Sequence, residues 1–357
     1  MAAASEYGNW YCTRESVKRA LSVTGSARNA QVDDAIEAGA REIEQITNRR
    51  FIPKTEKKLL TWPQRHPRRW FVLHLPEDLV TVTEVTKDDD TATVIPLADV
   101  LLEPNDIGPP YSRLEIDLSS SSFFSYNLTH QQAIRVTGEW GYTDKSVAAG
   151  TVAEAVDSSE TEVDTSDGSL WGVGSTLLLD SEKLFVREKL TLDTTATLNA
   201  TLAADVTANS FVVSDGTKVK VGEVVLVNSE RMLVDDVVTN TLTVQRAYDG
   251  TKLAAHASAD KINAYRVARV DRGVNGSTAA THLINAELKR YVPPGDIAQL
   301  NRALAIASYT QELAGWAGTI GSGTSTEGGA VETKMVALDK LRASVRKNYK
   351  RRAMGAV

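Results

Sequence analysis

The chain reads as an α+β protein: a small helical bundle with a β-subdomain, interrupted by inserted all-β domains built as nested, duplicated small barrels or rolls. Three observations predict this. The apolar period is near 3.6 at both ends of the chain and near two between them. One stretch repeats itself without a gap. The ending of the first copy appears only after the second copy has finished.

The repeat comes first, because missing it would misassign the fold. Ser166 to Gly174, continuing to Ser181–Val186, aligns with Ser214 to Gly222, continuing to Ser229–Val234. The second copy soon ends in Arg246-Ala247-Tyr248-Asp249-Gly250-Thr251 and then Ala255-His256. The matching ending of the first copy, Arg272-Gly273-Val274-Asn275-Gly276-Ser277 and then Thr281-His282, follows the whole second copy. A compact β-unit brings its ends together, so it can sit in a loop of another domain at small entropic cost. The expected domains are a core of 1–150 and 288–357, an outer β-domain of 151–195 and 264–287, and an inner one of 196–263. His256 and His282 fall at equivalent places. A metal role competes with a turn or cap role there, and the second is preferred, because neither copy has another His or Cys at ligand spacing.

The elements follow in order. Thr13 is positioned to cap a helix over Arg14–Leu21, with Glu15 in its first turn. Val32, Ile36, Ala40, Ile43 and Ile46 place one apolar face on a helix near 29–48. Five strands are expected over 70–75, 79–86, 93–102, 113–118 and 133–140. Within the insert, runs such as Phe211–Val213, Val224–Val227, Met232–Val234 and Thr241–Val244 alternate with Asp-Gly and Thr-Asn turns. Pro293-Pro294-Gly295-Asp296 starts a third helix with Asp296 as its expected N-cap. A Gly/Ser/Thr-rich linker spans 315–329, and a last helix runs over 331–351.

Composition narrows function. Across 357 residues the net charge is −6, and no apolar run approaches the roughly 20 residues that cross a bilayer. The opening residues lack the basic start and apolar stretch of a signal peptide. A lone Cys12 excludes an internal disulfide framework and suits a reducing cytosol. No phosphate loop, His-Glu-x-x-His or paired Cys is present, so no enzyme activity, cofactor or metal is expected. Charge is uneven, however. Acids dominate Glu154–Asp193, while Lys340–Arg352 carries seven bases and no acid.

With the insert set aside, the joins carry recognisable residues. They are Glu42 to Phe51, Leu73-His74-Leu75-Pro76 before Val80–Val85, Ile134 to Tyr142, and Val292-Pro293-Pro294-Gly295-Asp296-Ile297. In order and spacing these segments resemble the head-tail connector (adaptor) proteins of long-tailed bacteriophages, over 13–142 and 291–312. The insert departs from that pattern, since family members pass from the Gly-Tyr strand to the Val-Pro helix by a short loop. The resemblance implies a virion structural protein of the neck, made in the host cytoplasm. It implies a ring of twelve copies beneath the portal, extending a channel for double-stranded DNA without sequence specificity and meeting a downstream neck or tail completion protein. It also implies that the segments flanking the insert pack as one helical unit, with Ile36 and Leu300 in a common core.

Two groups of candidate residues follow. The C-terminal segment (Met335, Leu338, Leu341, Arg342, Val345, Arg346, Lys347, Tyr349, Lys350, Arg351, Arg352) is amphipathic and basic. Docking on an acidic groove of the portal is preferred over DNA phosphates, because its apolar stripe needs burial. The second group (Arg49, Arg50, Lys54, Lys57, Lys58, Arg65, Arg68) could face channel DNA, an acidic neighbour across a ring joint, or solvent. A different reading of the β-rich insert is host-surface or glycan binding, for which Trp171, Phe185, Tyr248 and Tyr265 are the available aromatics.

Overall fold

The computed structural model describes residues 9–64, 69–87, 93–127, 129–314 and 328–351, with the side chains of 328–336 excepted. Asp88–Asp90 and most of the glycine-rich linker lie outside the described residues. The chain is mixed α+β and mostly β, with two antiparallel sheets and four α-helices among the described residues.

Helices α1 (Arg14–Leu21) and α2 (Asn29–Thr47) come first. Thr13 caps α1 through Ser16 N–H at 3.4 Å. Strands β1 (Lys54–Leu60), β2 (Val72–Lys87), β3 (Thr93–Ile95), β4 (Val100–Glu103), β5 (Tyr111–Ile116) and β6 (Ile134–Trp140) make the first sheet, ordered β1-β6-β2-β5-β4 with β3 on β2. Leu73, Leu75, Leu79, Val85, Leu114, Val136 and Trp140 fill its core. The strands expected over 70–75 and 79–86 are one long β2, whose register to β5 shifts between His74 and Leu79, across Pro76. The strand expected over 93–102 is broken instead, by a 3-10 turn at Leu97–Asp99 after Pro96. β1 escaped the sequence reading, because Lys-Thr-Glu-Lys-Lys-Leu-Leu shows no clean alternation.

The insert follows as β7 (Ser146–Thr151), β8 (Glu162–Asp164), β9 (Thr176–Leu179), β10 (Glu182–Thr197), β11 (Ser210–Val212), β12 (Val224–Val227), β13 (Glu230–Val238), β14 (Thr241–Gln245), β15 (Lys261–Asp271) and β16 (Glu287–Tyr291). It forms one ten-stranded sheet, ordered β11-β14-β13-β12-β15-β10-β9-β16-β7 with β8 on β15. Two cores divide it. Val225, Val227, Met232, Val234, Leu242, Val244 and Ile262 fill one, and Val163, Trp171, Leu177, Leu184, Val186 and Val270 the other. At about 1.5–3 kcal/mol per fully buried apolar side chain, each core outweighs any single ion pair in the insert.

The expectation of separate barrels is corrected. β10 and β15 are long, and each runs through both copies, so the two copies share a sheet. Equivalent isolated bridges recur in the two copies: Val152 to Thr165 matches Leu198 to Val213, and Val156 to His282 matches Leu202 to His256. No barrel closes.

β16 leads directly into α3 (Gly295–Leu313), and α4 (Gly328–Tyr349) ends the described chain. Asp296 is not the N-cap. Pro294 occupies that place, and Asp296 Oδ1 accepts from Tyr349 Oη at 2.9 Å. α2 and α3 pack closely at Gly39, where an added Cβ would lie 2.9 Å from Asn301 Nδ2. Buried Asn301 donates to Ile36 O and accepts from Tyr11 N–H, satisfying backbone groups that would otherwise be costly. Ile36 and Leu300 fall in two neighbouring clusters along this helix pair, not one. The Asn301–Ile36 bond is the polar seam between them.

Candidate functional site

Each copy of the repeat builds the same buried ion cluster. In the outer copy, the Glu182 carboxylate receives Arg272 Nε at 2.6 Å and Nη2 at 2.7 Å, and backbone N–H groups of Gly273 and Ala280 at 3.0 Å. His282 Nε2 lies 2.8 Å away. In the inner copy, Glu230 receives Arg246 Nε at 2.8 Å and Nη2 at 2.9 Å, Ala247 N–H at 2.9 Å and Ala254 N–H at 3.0 Å, with His256 Nε2 at 2.9 Å. Both carboxylate side chains are 0% exposed. Each guanidinium spends its remaining donors on carbonyls: Asp157, Glu160 and Ala280 in one copy, Ala203, Ala208 and Ala254 in the other. Burial alone would raise both carboxyls. Hydrogen bonds from arginine, histidine and backbone outweigh it and hold each at about 2.

These contacts engage all three side chains and fasten the strand after the β9–β10 or β12–β13 turn to the Arg-to-His ending. The histidines are therefore partners of a buried carboxylate, not turn caps. Among the described residues, no group of three or more His, Cys, Asp or Glu is placed to hold a metal ion.

The turn following each arginine grips the chain outside the insert, the inner one beside α1 and the outer one at Asn9 and β1. Asp249 accepts from Lys18 Nζ at 3.1 Å, and its carbonyl from Gly25 N–H at 3.0 Å. The equivalent Asn275 donates to Asn9 Oδ1 at 2.7 Å, and its carbonyl accepts from Thr55 N–H at 2.9 Å. Both residues sit at φ 52°. The following Gly276 lies so close to β1 that a Cβ there would be 1.9 Å from Thr55 O. Lys183, 1% exposed, adds a second tie by donating to Pro53 O at 3.0 Å, Thr55 Oγ1 at 3.2 Å and Glu139 at 2.7 Å. Trp10 and Phe185 meet edge to face at 5.4 Å. Between the copies, Arg266 and Glu223 form a buried two-bond pair at 2.6 and 2.7 Å.

The structure separates the C-terminal candidates into two groups. Leu338 and Val345 are buried in the α2–α3 core, and Leu341 packs beside them. Tyr349 meets Phe51 and Tyr142 edge to face. Arg342 pairs with Glu42 at 2.7 Å. Arg351 is buried against Asp78 and donates to Leu75 O at 2.8 Å. The described part of the apolar stripe expected to seek a partner, Leu338, Leu341, Val345 and Tyr349, is thus covered by the chain itself. Arg346, Lys347 and Lys350, with Lys340, remain exposed. The Met335 side chain and Arg352 lie outside the described residues.

The second basic group is largely neutralised. Arg49 pairs with Asp78, Lys54 and Lys58 with Glu56, Lys58 also with Glu77, and Lys57 with Glu84. Arg50 is half-buried, and Arg65 and Arg68 lie outside the described residues. Of the four aromatics considered for glycan binding, Trp171 and Phe185 are buried, while Tyr248 and Tyr265 are half-buried.

Sequence reasoning missed the Glu–Arg–His partnership, although all three positions recur in register. It also missed Lys183 and Asn301, whose burial has no sequence signal. No described helix is long and apolar enough to cross a membrane. Comparison with known proteins found no matching family model, curated relative or solved structure.

Proposed function

We propose that the chain is a structural head-tail connector subunit of a long-tailed bacteriophage. Copies assemble as a ring of twelve beneath the portal. The ring prolongs the DNA channel and presents its lower face to a neck or tail completion protein. It performs no chemistry and takes no cofactor. The nested insert stands on the ring as a rigid outer brace.

One observation carries this reading. The insert leaves and returns at a single place: Tyr291 pairs with Ser146, and Val292 N–H donates to Lys145 O at 2.9 Å. The segments bearing the connector-like residues are therefore continuous across it, and they meet where α2 packs on α3, although Ile36 and Leu300 lie in neighbouring clusters and not in the common core expected. A short loop could replace the insert at that junction, which is the arrangement the resemblance leads one to expect. With the described part of the apolar stripe of α4 already covered, portal docking falls to the exposed cations Lys340, Arg346, Lys347 and Lys350.

Electron microscopy of the purified chain, alone and mixed with portal, tests the reading. Annular particles that stack on portal are expected. A chain that stays monomeric at high concentration and ignores portal overturns it.

A further inference from the structure

A cleft of about 640 Å³ opens between the helical base and the outer copy of the insert. Its walls include Trp10, Tyr11 and Val292, and no acidic side chain lines it. Two arginines do, Arg290 from β16 and Arg302 from α3. Neither has a hydrogen bond or ion pair within the described chain. Arg290 is half-buried, and its Nε is shielded from solvent without an acceptor. Thr176 Oγ1, on the same cleft wall, is likewise buried and unpartnered. The most deeply buried arginines are spent, since Arg246, Arg266, Arg272 and Arg351 each hold a carboxylate; Arg41, Arg50 and Arg187 each leave one buried nitrogen without an acceptor, but none of them lines this cleft. A half-buried guanidinium with idle donors costs free energy that a bidentate carboxylate recovers. Burial pulls the Arg290 pKa down, with no neighbouring acid to hold it up.

The same chain carries a complementary surface. The β7–β8 loop and β8 bring Glu154, Glu160, Glu162 and Asp164 together on the outer copy. Desolvation and then the neighbouring Asp164 and Glu160 charges raise the Glu154 carboxyl, so these acids repel one another. Glu154 is exposed and its side chain makes no hydrogen bond or ion pair, and the Glu160 carboxylate makes none either. This loop and the cleft lie at opposite ends of the same strands. The loop bridges His282 through Val156, beside the Asp180 end of β9. The cleft begins at the Gly174–Thr176 end of β9 and the Arg290 end of β16. With four residues in β9, the ends are about 13 Å apart. A chain cannot fill its own cleft, whereas the next copy, set head to tail, can.

We propose that the Arg290–Arg302 cleft receives the acidic Glu154–Glu160 loop of a second copy of this chain, as the joint between neighbouring subunits. Such a contact is heterologous, the kind that closes rings when its rotation closes. The inference rests on the ring reading and specifies its joint.

Mass photometry and electron microscopy of full-length variants test it. Arg302→Glu, which is exposed and leaves the fold alone, and the milder Arg290→Gln should each weaken assembly at least ten-fold. Paired Glu154→Lys and Glu160→Lys should do the same. A chain combining Arg290→Gln and Arg302→Glu with both lysine substitutions should recover assembly, because the charges are again opposite. Rings that persist unchanged in Arg302→Glu and Arg290→Gln overturn the joint while leaving the ring standing. A wild-type chain that never self-associates overturns both.

Discussion

Replacing Glu230 with alanine removes the acceptor at the centre of the inner ion cluster. Arg246, 1% exposed at its side chain, keeps its carbonyl bonds but loses the carboxylate it pairs with. The N–H groups of Ala247 and Ala254 lose their acceptor at the same time. Stripping one partner from a buried pair costs about 3–5 kcal/mol. A second route gives a similar size. The Glu230 carboxyl lies at about 2 in the folded chain against an ordinary 4.5, a difference equivalent to about 3 kcal/mol of stability. Since the folded value is depressed, that stability is present above pH 4.5 and is lost as pH falls from there towards 2. Urea unfolding at pH 7, with hydrogen exchange followed on β12–β14, provides the assay. The variant should lose about 3 kcal/mol and the protection of those strands. Its stability should also vary less than that of wild type between pH 4.5 and 2. A loss below about 1 kcal/mol, or an unchanged acid profile, would refute the account of the cluster as a buried and mutually satisfied pin.

Lys183→Met retains volume but removes the ion-pair partner of Glu139, which keeps only a long bond from Thr55 Oγ1, and the Lys183 donor to Pro53 O. Glu139 is 27% exposed and can be rehydrated, so the expected cost is about 1–3 kcal/mol. Faster hydrogen exchange in β1 and at the start of β10 checks it; unchanged exchange at both would count against Lys183 as a strap. Burial pushes the Cys12 thiol up to about 12, against a weaker opposing hydrogen bond to Ser16. Thiolate is therefore scarce at pH 8. Iodoacetamide should label native protein far more slowly than urea-unfolded protein, and equal rates would show that the Cys12 thiol is not raised by its surroundings.

Much of the architecture is legible before folding is considered. The in-register recurrence of Asp-Gly turns, Val-Leu runs and the Arg-to-His ending marks a duplicated β-insert, because short-range turn chemistry and alternation are written locally. The Thr13 cap of α1 and the apolar stripes of α2 and α3 are equally local, whereas the cap expected from Asp296 is not formed. Three matters needed the folded chain. Strand sharing through β10 and β15 depends on which copy lies beside which, and no local pattern encodes that. The burial of Leu338, Val345 and Arg351 against the base depends on where α4 lands, so an amphipathic stripe alone could not reveal whether its partner was this chain or another. Finally, Glu182, Arg272 and His282 are separated by up to 100 residues. Their types and periodicity were visible in the sequence. Their convergence into a desolvated cluster is a consequence of tertiary packing, which alone removes water and makes their charges interact strongly.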